Sequence, residues 1–486
     1  MNKLQSYLLT CLLCSLCSTA NAQTGPWTFE DCIRYAHEHN TQVLENKFSE
    51  RTAELDIFYA KKAFVPTITM GTSVNVGIGR TIDPFTNQFT NEPVISNSWN
   101  VNASLPIFQG FRLHSTLKKA KLSLESNQLT AQQTIRDLDI RIATAYLQVL
   151  FNADQLDAAR KQLELAQAET QRTAKLIEVG RLPKSYLYDL QVQVSNTEAQ
   201  IVTNTNNLMI SRLQLKQLLG LPAEYQLSVS YPVIGEPDST FLHLTYPQIF
   251  DMTGNQLETR LNHLAVKQAE IDYKQSKRAY LPNLSISYGI GTGYSSQTRS
   301  FTAGDGEVRS FVSPIGFVSP DGGQTRGDMV YEERFIGPDP IPVKVSLPDQ
   351  YRDNLNQSTN INVSIPFLSA ATSLKQNLRS SRLQLERAKM KAENEENQLK
   401  QTLFQRFTEA QAALQTYHIT QKKYEIQQVA FQQSESKYQR GQINSFEYTT
   451  AKNSLWTSEG ELLRSKYDAV LKIKILRFFM GAPLTF

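Results

Sequence analysis

Few residues in this chain have the types and spacing that chemistry needs. The run GIGTG (289–293) has glycine spacing like that of a phosphate-cradling loop, where backbone amides hold a pyrophosphate ahead of a helix. No helical pattern follows it, and its glycines fall on one face of an alternating stretch, which accounts for them without a nucleotide. His37 and His39 stand two apart in a helical pattern, so their rings diverge. The six histidines show no metal-ligand spacing. No nucleophile stands near a base. The sequence therefore predicts no enzyme, no cofactor and no metal site.

The elements around these residues say more. Residues 1–22 have a signal-peptide layout: Lys3, the apolar run YLLTCLLCSLC, and Ala20-Asn21-Ala22 as a cleavage site. Cys11, Cys14 and Cys17 lack the small preceding residue of a lipidation signal. Cleavage would leave Cys32 alone, without a disulfide partner in the chain, and its helical setting marks it as a small buried apolar residue. Beyond residue 22 no run of 18 apolar residues exists, so no transmembrane helix is expected, although barrel strands alternate and would leave hydropathy low. The 486 residues carry 50 Lys+Arg against 46 Asp+Glu, net charge +4. With a mean hydropathy of −0.37 and no concentrated basic patch, nucleic acid is not an expected partner.

Landmarks recur in one order. Pro66 and Pro282 lie 216 residues apart, Pro106 and Pro366 lie 260 apart, and Gly180 and Gly441 lie 261 apart. Two units follow, 23–235 and 236–486 after the 1–22 signal peptide, as a duplication would leave them. The first carries a helix, a strand pair at about 66–107 and a long helical hairpin over 111–219. The second carries a helix, a strand pair at about 282–368 and a hairpin over 369–480. Its strand pair is interrupted by a Gly-, Pro- and Ser-rich insertion, 294–356, read as a solvated loop. Residues 111–179 and 367–440 contain neither Gly nor Pro. A 70-residue helix would run about 105 Å. The seam Leu187, Leu190, Val194, Thr197, Ile201, Asn204, Leu208, Ser211, Leu215 and Leu218, like Ala410, Ala413, Tyr417 and Thr420, advances by threes and fours with polar members mixed in, which suits helices packed side by side in a wall or an ordinary helical bundle core.

The strands alternate between two kinds of face. Ile68, Met70, Val74 and Val76 oppose Thr69, Gly71, Ser73 and Asn75; Ile361, Val363 and Ile365 oppose Asn360, Asn362 and Ser364. The polar faces carry almost no charge, unlike the outer face of a soluble sandwich. Strands of this length can cross a bilayer at a tilt. Open edges are not tolerated in hydrocarbon, and four strands cannot close a barrel, so chains must pool strands.

The duplicated helix–strand–strand–helix order, the strand ends Ser104-Leu105-Pro106 and Ser364-Ile365-Pro366, and the glycine turns between antiparallel helices resemble the TolC-like outer-membrane efflux protein family. The resemblance covers essentially the whole chain after residue 22. It implies an α+β membrane protein, mostly α, whose long antiparallel hairpins form an α-barrel, with four strands per chain contributing to a shared 12-stranded trimeric β-barrel. It also implies a passive exit duct in the outer membrane, reaching into the periplasm. Its partners would be a periplasmic adaptor (membrane fusion) protein, an inner-membrane pump or transporter, two further copies of itself and outer-membrane lipid. A soluble periplasmic coiled-coil scaffold or adaptor is the rival reading, and it leaves the uncharged strand faces unexplained.

Site residues follow at three places. Gly180 and Gly441 suit left-handed helix ends, Pro183 the first turn of the next helix, and Asn444 with Glu447 a capping box. By the resemblance, Val179, Gly180, Arg181, Arg440, Gly441 and Gln442 form the periplasmic tip that meets the adaptor. Glu447 and Asp189 are candidate tunnel-constriction acids, although Thr450 stands where a further acid is expected. Pro66, Pro106, Pro282 and Pro366 are read as the transitions between strand and helix.

Overall fold

A computed structural model describes residues 25–180, 182–238, 245, 248, 257–319, 327–366 and 369–486. The expected signal peptide, residues 1–22, and Arg181 lie outside the described residues. The chain forms two compact units, one of Met1–Ile57, Lys118–Tyr273 and Ser380–Phe486, the other of Phe58–Leu117 and Lys274–Arg379.

The first unit is helical. Helix α1 (Phe29–His39) starts at Thr28, whose hydroxyl accepts from the Asp31 amide while the Asp31 carboxylate accepts from the Thr28 amide. The sequence pattern predicts one helix through residue 63, but the chain breaks at Asn40 and resumes as α2 (Thr41–Lys62). Asn40 turns its amide to the Leu218 carbonyl and takes a hydrogen bond from the Gln42 amide. That side-chain bonding competes with the helical ladder.

Helix α3 (Arg112–Glu178) and its return α4 (Ser185–Leu219) form one hairpin. After α5 (Leu257–Arg278), helix α7 (Ser369–Gln439) and its return α8 (Ser445–Phe479) form the other. Both long helices are unbroken over 67 and 71 residues. Their threonines do not interrupt them, because Thr130, Thr134, Thr144 and Thr170 donate to the carbonyl four residues back.

Of the seam predicted for α4, Leu190, Thr197, Asn204, Leu208, Ser211 and Leu215 are buried, while Leu187, Val194, Ile201 and Leu218 are half-buried. Its polar members are satisfied, as Asn204 donates to the Gln155 carbonyl at 3.2 Å. Phe29, Cys32, Leu138, Ile142, Tyr146, Leu150 and Leu215 centre the main core. Burial pushes the Cys32 thiol up to about 12, so it packs as a small apolar residue rather than as a nucleophile. Phe486, the last residue, lies edge-to-face on Phe29 at 4.8 Å, in a helical core rather than at a strand end.

The second unit is built on a sheet in the order β1–β4–β5–β10: β1 (Thr67–Gly77), β4 (Val94–Gln109), β5 (Asn283–Ser295) and β10 (Asn356–Ser364). Every neighbouring pair is antiparallel. Between β1 and β4 lies the small hairpin of β2 (Thr81–Ile82) and β3 (Phe89–Thr90).

Two expectations need correction here. Pro106 does not end its strand: β4 continues to Gln109, with a bulge between Pro106 and Phe108 on the β5 side. Pairing with β1 has already stopped at Ser104, so the missing Pro106 N–H leaves no ladder bond unmade on that side. The transition to α3 is instead Gly110-Phe111, both at positive φ. The insertion 294–356 is not a plain loop. It holds β6 (Arg299–Thr302) paired with β9 (Ile341–Lys344), β7 (Arg309–Phe317) paired with β8 (Met329–Ile336), and α6 (Leu347–Asp353).

Candidate functional site

Packing leaves two surfaces with unused chemistry: the faces of the four-stranded sheet and the turns of the helical hairpins. On one sheet face apolar side chains stand in rows. Met70 faces Val101, which faces Ile290; Leu105 and Ile361 both face Ile286. The outer strands' residues are open, with Ile68 72%, Met70 68% and Ile361 69% exposed, while Leu105 and Ile286 are half-buried. A contiguous apolar patch of this kind marks a protein or membrane contact.

The other face is polar without charge. One row reads Thr69, Asn102, Gly289, Ser358; the next reads Gly71, Asn100, Gly291, Asn356; a third reads Thr67, Ser104, Ser287, Asn360. The asparagine amides lie over the neighbouring glycines. A Cβ at Gly289 would stand 2.9 Å from Asn102 Oδ1, and one at Gly71 would stand 3.0 Å from Asn100 Oδ1. This explains Gly289 and Gly291 of GIGTG: they leave room for the amides of Asn102 and Asn356 on the adjoining strands. Asn102 donates on to Asn100 Oδ1 at 3.2 Å, and the Ser73 and Ser98 hydroxyls pair at 2.8 Å. Such a face offers donors and acceptors to water and no fixed charge to an ion.

The hairpin turns are built alike. Gly180 and Gly441 have φ of +74° and +71°, the left-handed region that ends a helix. Val179, Arg440 and Gln442 are exposed beside them. Helix α8 opens on Asn444, whose side-chain oxygen accepts from the Glu447 amide at 2.9 Å. The Asn444 side-chain Nδ2 donates back to Glu447 Oε1 at 3.1 Å. Glu447 is thus part of the helix cap while remaining exposed, and Asp189, one turn into α4, is exposed as well. The proline positions divide. Pro66 and Pro282 directly precede β1 and β5, and Pro366 lies two residues beyond β10.

Spacing gave no sign of what binds the hairpins together above these turns. Lys452 of α8 reaches Glu169 of α3 at 2.6 Å, the two side chains 10% and 18% exposed. The Lys452 ammonium also lies 4.9 Å from the centre of the Trp456 ring. Tyr438 stacks on Tyr448 at 4.5 Å, and Gln193 of α4 donates to Asn453 Oδ1 of α8 at 3.0 Å. Lys452 and Glu169 lie 283 residues apart and Gln193 and Asn453 260 apart, and no local pattern marks either pair.

Among the described residues, no group of three or more His, Cys, Asp or Glu converges on a metal position. No described helix is long and apolar enough to cross a membrane.

Known proteins give the surfaces a context. Residues 32–221 match the model of the family described as outer membrane efflux protein. Outer membrane protein TolC of Escherichia coli is 20% identical over 221 residues, covering 44% of this chain and 45% of that protein. The match thus spans less than half the length of that relative. The outer membrane protein VceC of Vibrio cholerae shares the fold with a TM-score of 0.71 at 12% identity, over 94% of this chain and 96% of VceC. The CmeC outer membrane channel of Campylobacter jejuni does so with a TM-score of 0.68 at 14% identity, over 93% and 85%. Residues 32–221 are thus similar in sequence to the outer membrane efflux proteins, and nearly the whole chain shares the fold of VceC and CmeC.

Proposed function

We propose that this chain is one subunit of a trimeric outer-membrane duct, a passive exit path for cargo driven from the inner membrane. The observation that carries the reading is the sheet: one open apolar face, one uncharged polar face, and two unpaired edges, at β1 and β10. Lipid suits the first face, water the second, and a neighbouring chain the edges. Three copies of four strands make twelve, enough to leave an open lumen. In this reading the units 23–235 and 236–486 are a duplication, each supplying one strand pair and one hairpin.

The hairpin turns then form the periplasmic tip. Val179, Gly180, Arg181, Arg440, Gly441 and Gln442 would meet a periplasmic adaptor, which links the duct to an inner-membrane pump or transporter. Glu447 and Asp189 would narrow the tip, with no enzymatic step at any point. The soluble-scaffold alternative would have to leave the apolar rows of β1 and β10 in water.

Membrane fractionation tests the reading. The protein should partition with the outer membrane and migrate as a heat-sensitive trimer, and the purified trimer should conduct ions across a planar bilayer. Complete recovery in the soluble periplasm as a monomer would overturn it.

A further inference from the structure

The connection from β1 to β4 folds back over the sheet. Thr81 pairs with Thr90 and Ile82 with Phe89, so β2 and β3 form a short hairpin. Its turn is closed twice by backbone: the Asp83 amide donates to the Gln88 carbonyl at 3.0 Å, and the Asn87 amide donates to the Asp83 carbonyl at 2.9 Å. Within the turn, Asp83 Oδ1 accepts from the amides of Phe85 and Thr86 at 2.8 and 3.0 Å.

The second carboxylate oxygen points elsewhere. Asp83 Oδ2 accepts from the hydroxyl of Ser295, the last residue of β5. Asp83 is 1% exposed and Ser295 is fully buried. The Ser295 backbone amide donates to Gln350 Oε1 at 2.9 Å, and Gln350 Nε2 donates to the Val345 carbonyl at 3.1 Å. One buried carboxylate thus fastens the first strand connection to the second. Burial raises the Asp83 pKa, but the hydrogen bonds from Ser295, Thr86 and Phe85 outweigh it and hold the carboxyl below its ordinary range.

Phe85 rides on this fastening. A Cβ built at Gly293 would stand 2.0 Å from Phe85 Cζ and 2.6 Å from Cε1, so the ring occupies the space a side chain would fill. Gly293 continues the row of Gly289 and Gly291 on the uncharged face, at the end of β5 remote from the helix junctions. A phenyl ring on a face of Ser, Thr, Asn and Gly gains little from that face itself. It is held there by the turn, and the turn by Asp83.

We propose that the 83–88 turn is a strap across the outer opening of the duct, with Phe85 setting the width of the opening and the Asp83–Ser295 bond as its fastening. The proposal rests on the duct reading above. It makes Phe85 a size-determining residue for cargo. It also gives the glycine at 293 its reason, since any side chain there would evict the ring.

Single-channel conductance of the full-length trimer in planar bilayers tests this, together with the largest neutral polyethylene glycol that enters the pore. Phe85→Ala and Asp83→Ala should raise both readings, and Phe85→Trp should lower both. Opposite shifts from one position cannot come from misfolding. Phe89→Ala, at an exposed ring beneath Arg80, serves as the control and should match the parent. Parental conductance and polymer cut-off in both Phe85 variants would overturn the strap while leaving the duct intact. A parent that forms no channel would instead refute the duct reading, and the strap with it.

Discussion

Lys452 and Glu169 show what single residues contribute to the hairpin pairing. An ammonium and a carboxylate at 2.6 Å, both mostly buried, depend on each other. Removing one strands the other in a poor solvent for charge. Glu169→Ala should therefore lower stability by roughly 2–4 kcal/mol, and the double change Glu169→Leu with Lys452→Met should recover most of the loss. The thermal midpoint of the helical circular-dichroism signal reads both; equal losses in the single and double variants would mean the pair is not coupled. Tyr467 makes a pH-dependent case. Its hydroxyl donates to Asp154 Oδ2 at 2.7 Å, and burial, then that bond and the nearby charge, raise its pKa above the ordinary 10.0. The folded state favours the neutral phenol. The stability it adds is complete below pH 10 and is lost as pH rises above that value. Tyr467→Phe should lose about 1 kcal/mol at neutral pH and show a shallower fall in alkali. An alkaline fall as steep as the parent's would assign the titration to other groups, of which Tyr448, also raised by burial, is the first to test.

At the scale of elements, the two faces of a strand make opposite demands on neighbouring positions. Val101 stands on the apolar face of β4 and Asn100 on the polar one. Val101→Lys should cost roughly 2–4 kcal/mol if that face meets lipid near its midplane, whereas Asn100→Lys should be tolerated. The yield of heat-sensitive trimer measures this, and equal yields from the two variants would remove the face assignment. These faces were legible in the sequence because a period of two needs only local residues. The long helices were legible because 111–179 and 367–440 lack the residues that break them. The break at Asn40 was not, since it depends on the Leu218 carbonyl 178 positions away. Pro106 misled for a related reason: proline ends a strand only where its N–H would be needed, and that depends on where β1 stops. Strands β7 and β8 carry exposed residues on both sides, so their alternation gave no amphipathic signal. The Asp83–Ser295 fastening joins residues 212 apart and has no sequence signature.

For the whole molecule, strand direction decides how copies can join. Each pair in β1–β4–β5–β10 is antiparallel, so with four strands the outer two run in opposite directions. The β10 edge of one chain can therefore accept the β1 edge of the next as another antiparallel neighbour, and every backbone group finds a partner once the ring closes. An odd number of strands would put a parallel junction between copies. This geometry gives a direct prediction for the proposed trimer. Thr69 lies on β1 and Asn360, Asn362 and Ser364 lie on β10, all on the uncharged face. Cysteine at Thr69, combined in turn with cysteine at each of the three, should give one pairing that oxidises efficiently between chains. Cys32, the free cysteine among the described residues, is buried and should not compete. Denaturing gels should then show covalent dimers and trimers that collapse to monomers on reduction. Two strands, β4 and β5, separate β1 from β10 within a chain, so a bond inside one subunit is remote. Monomers alone, across all three pairings in outer-membrane fractions, would mean that these edges do not meet and that the sheet closes in some other way.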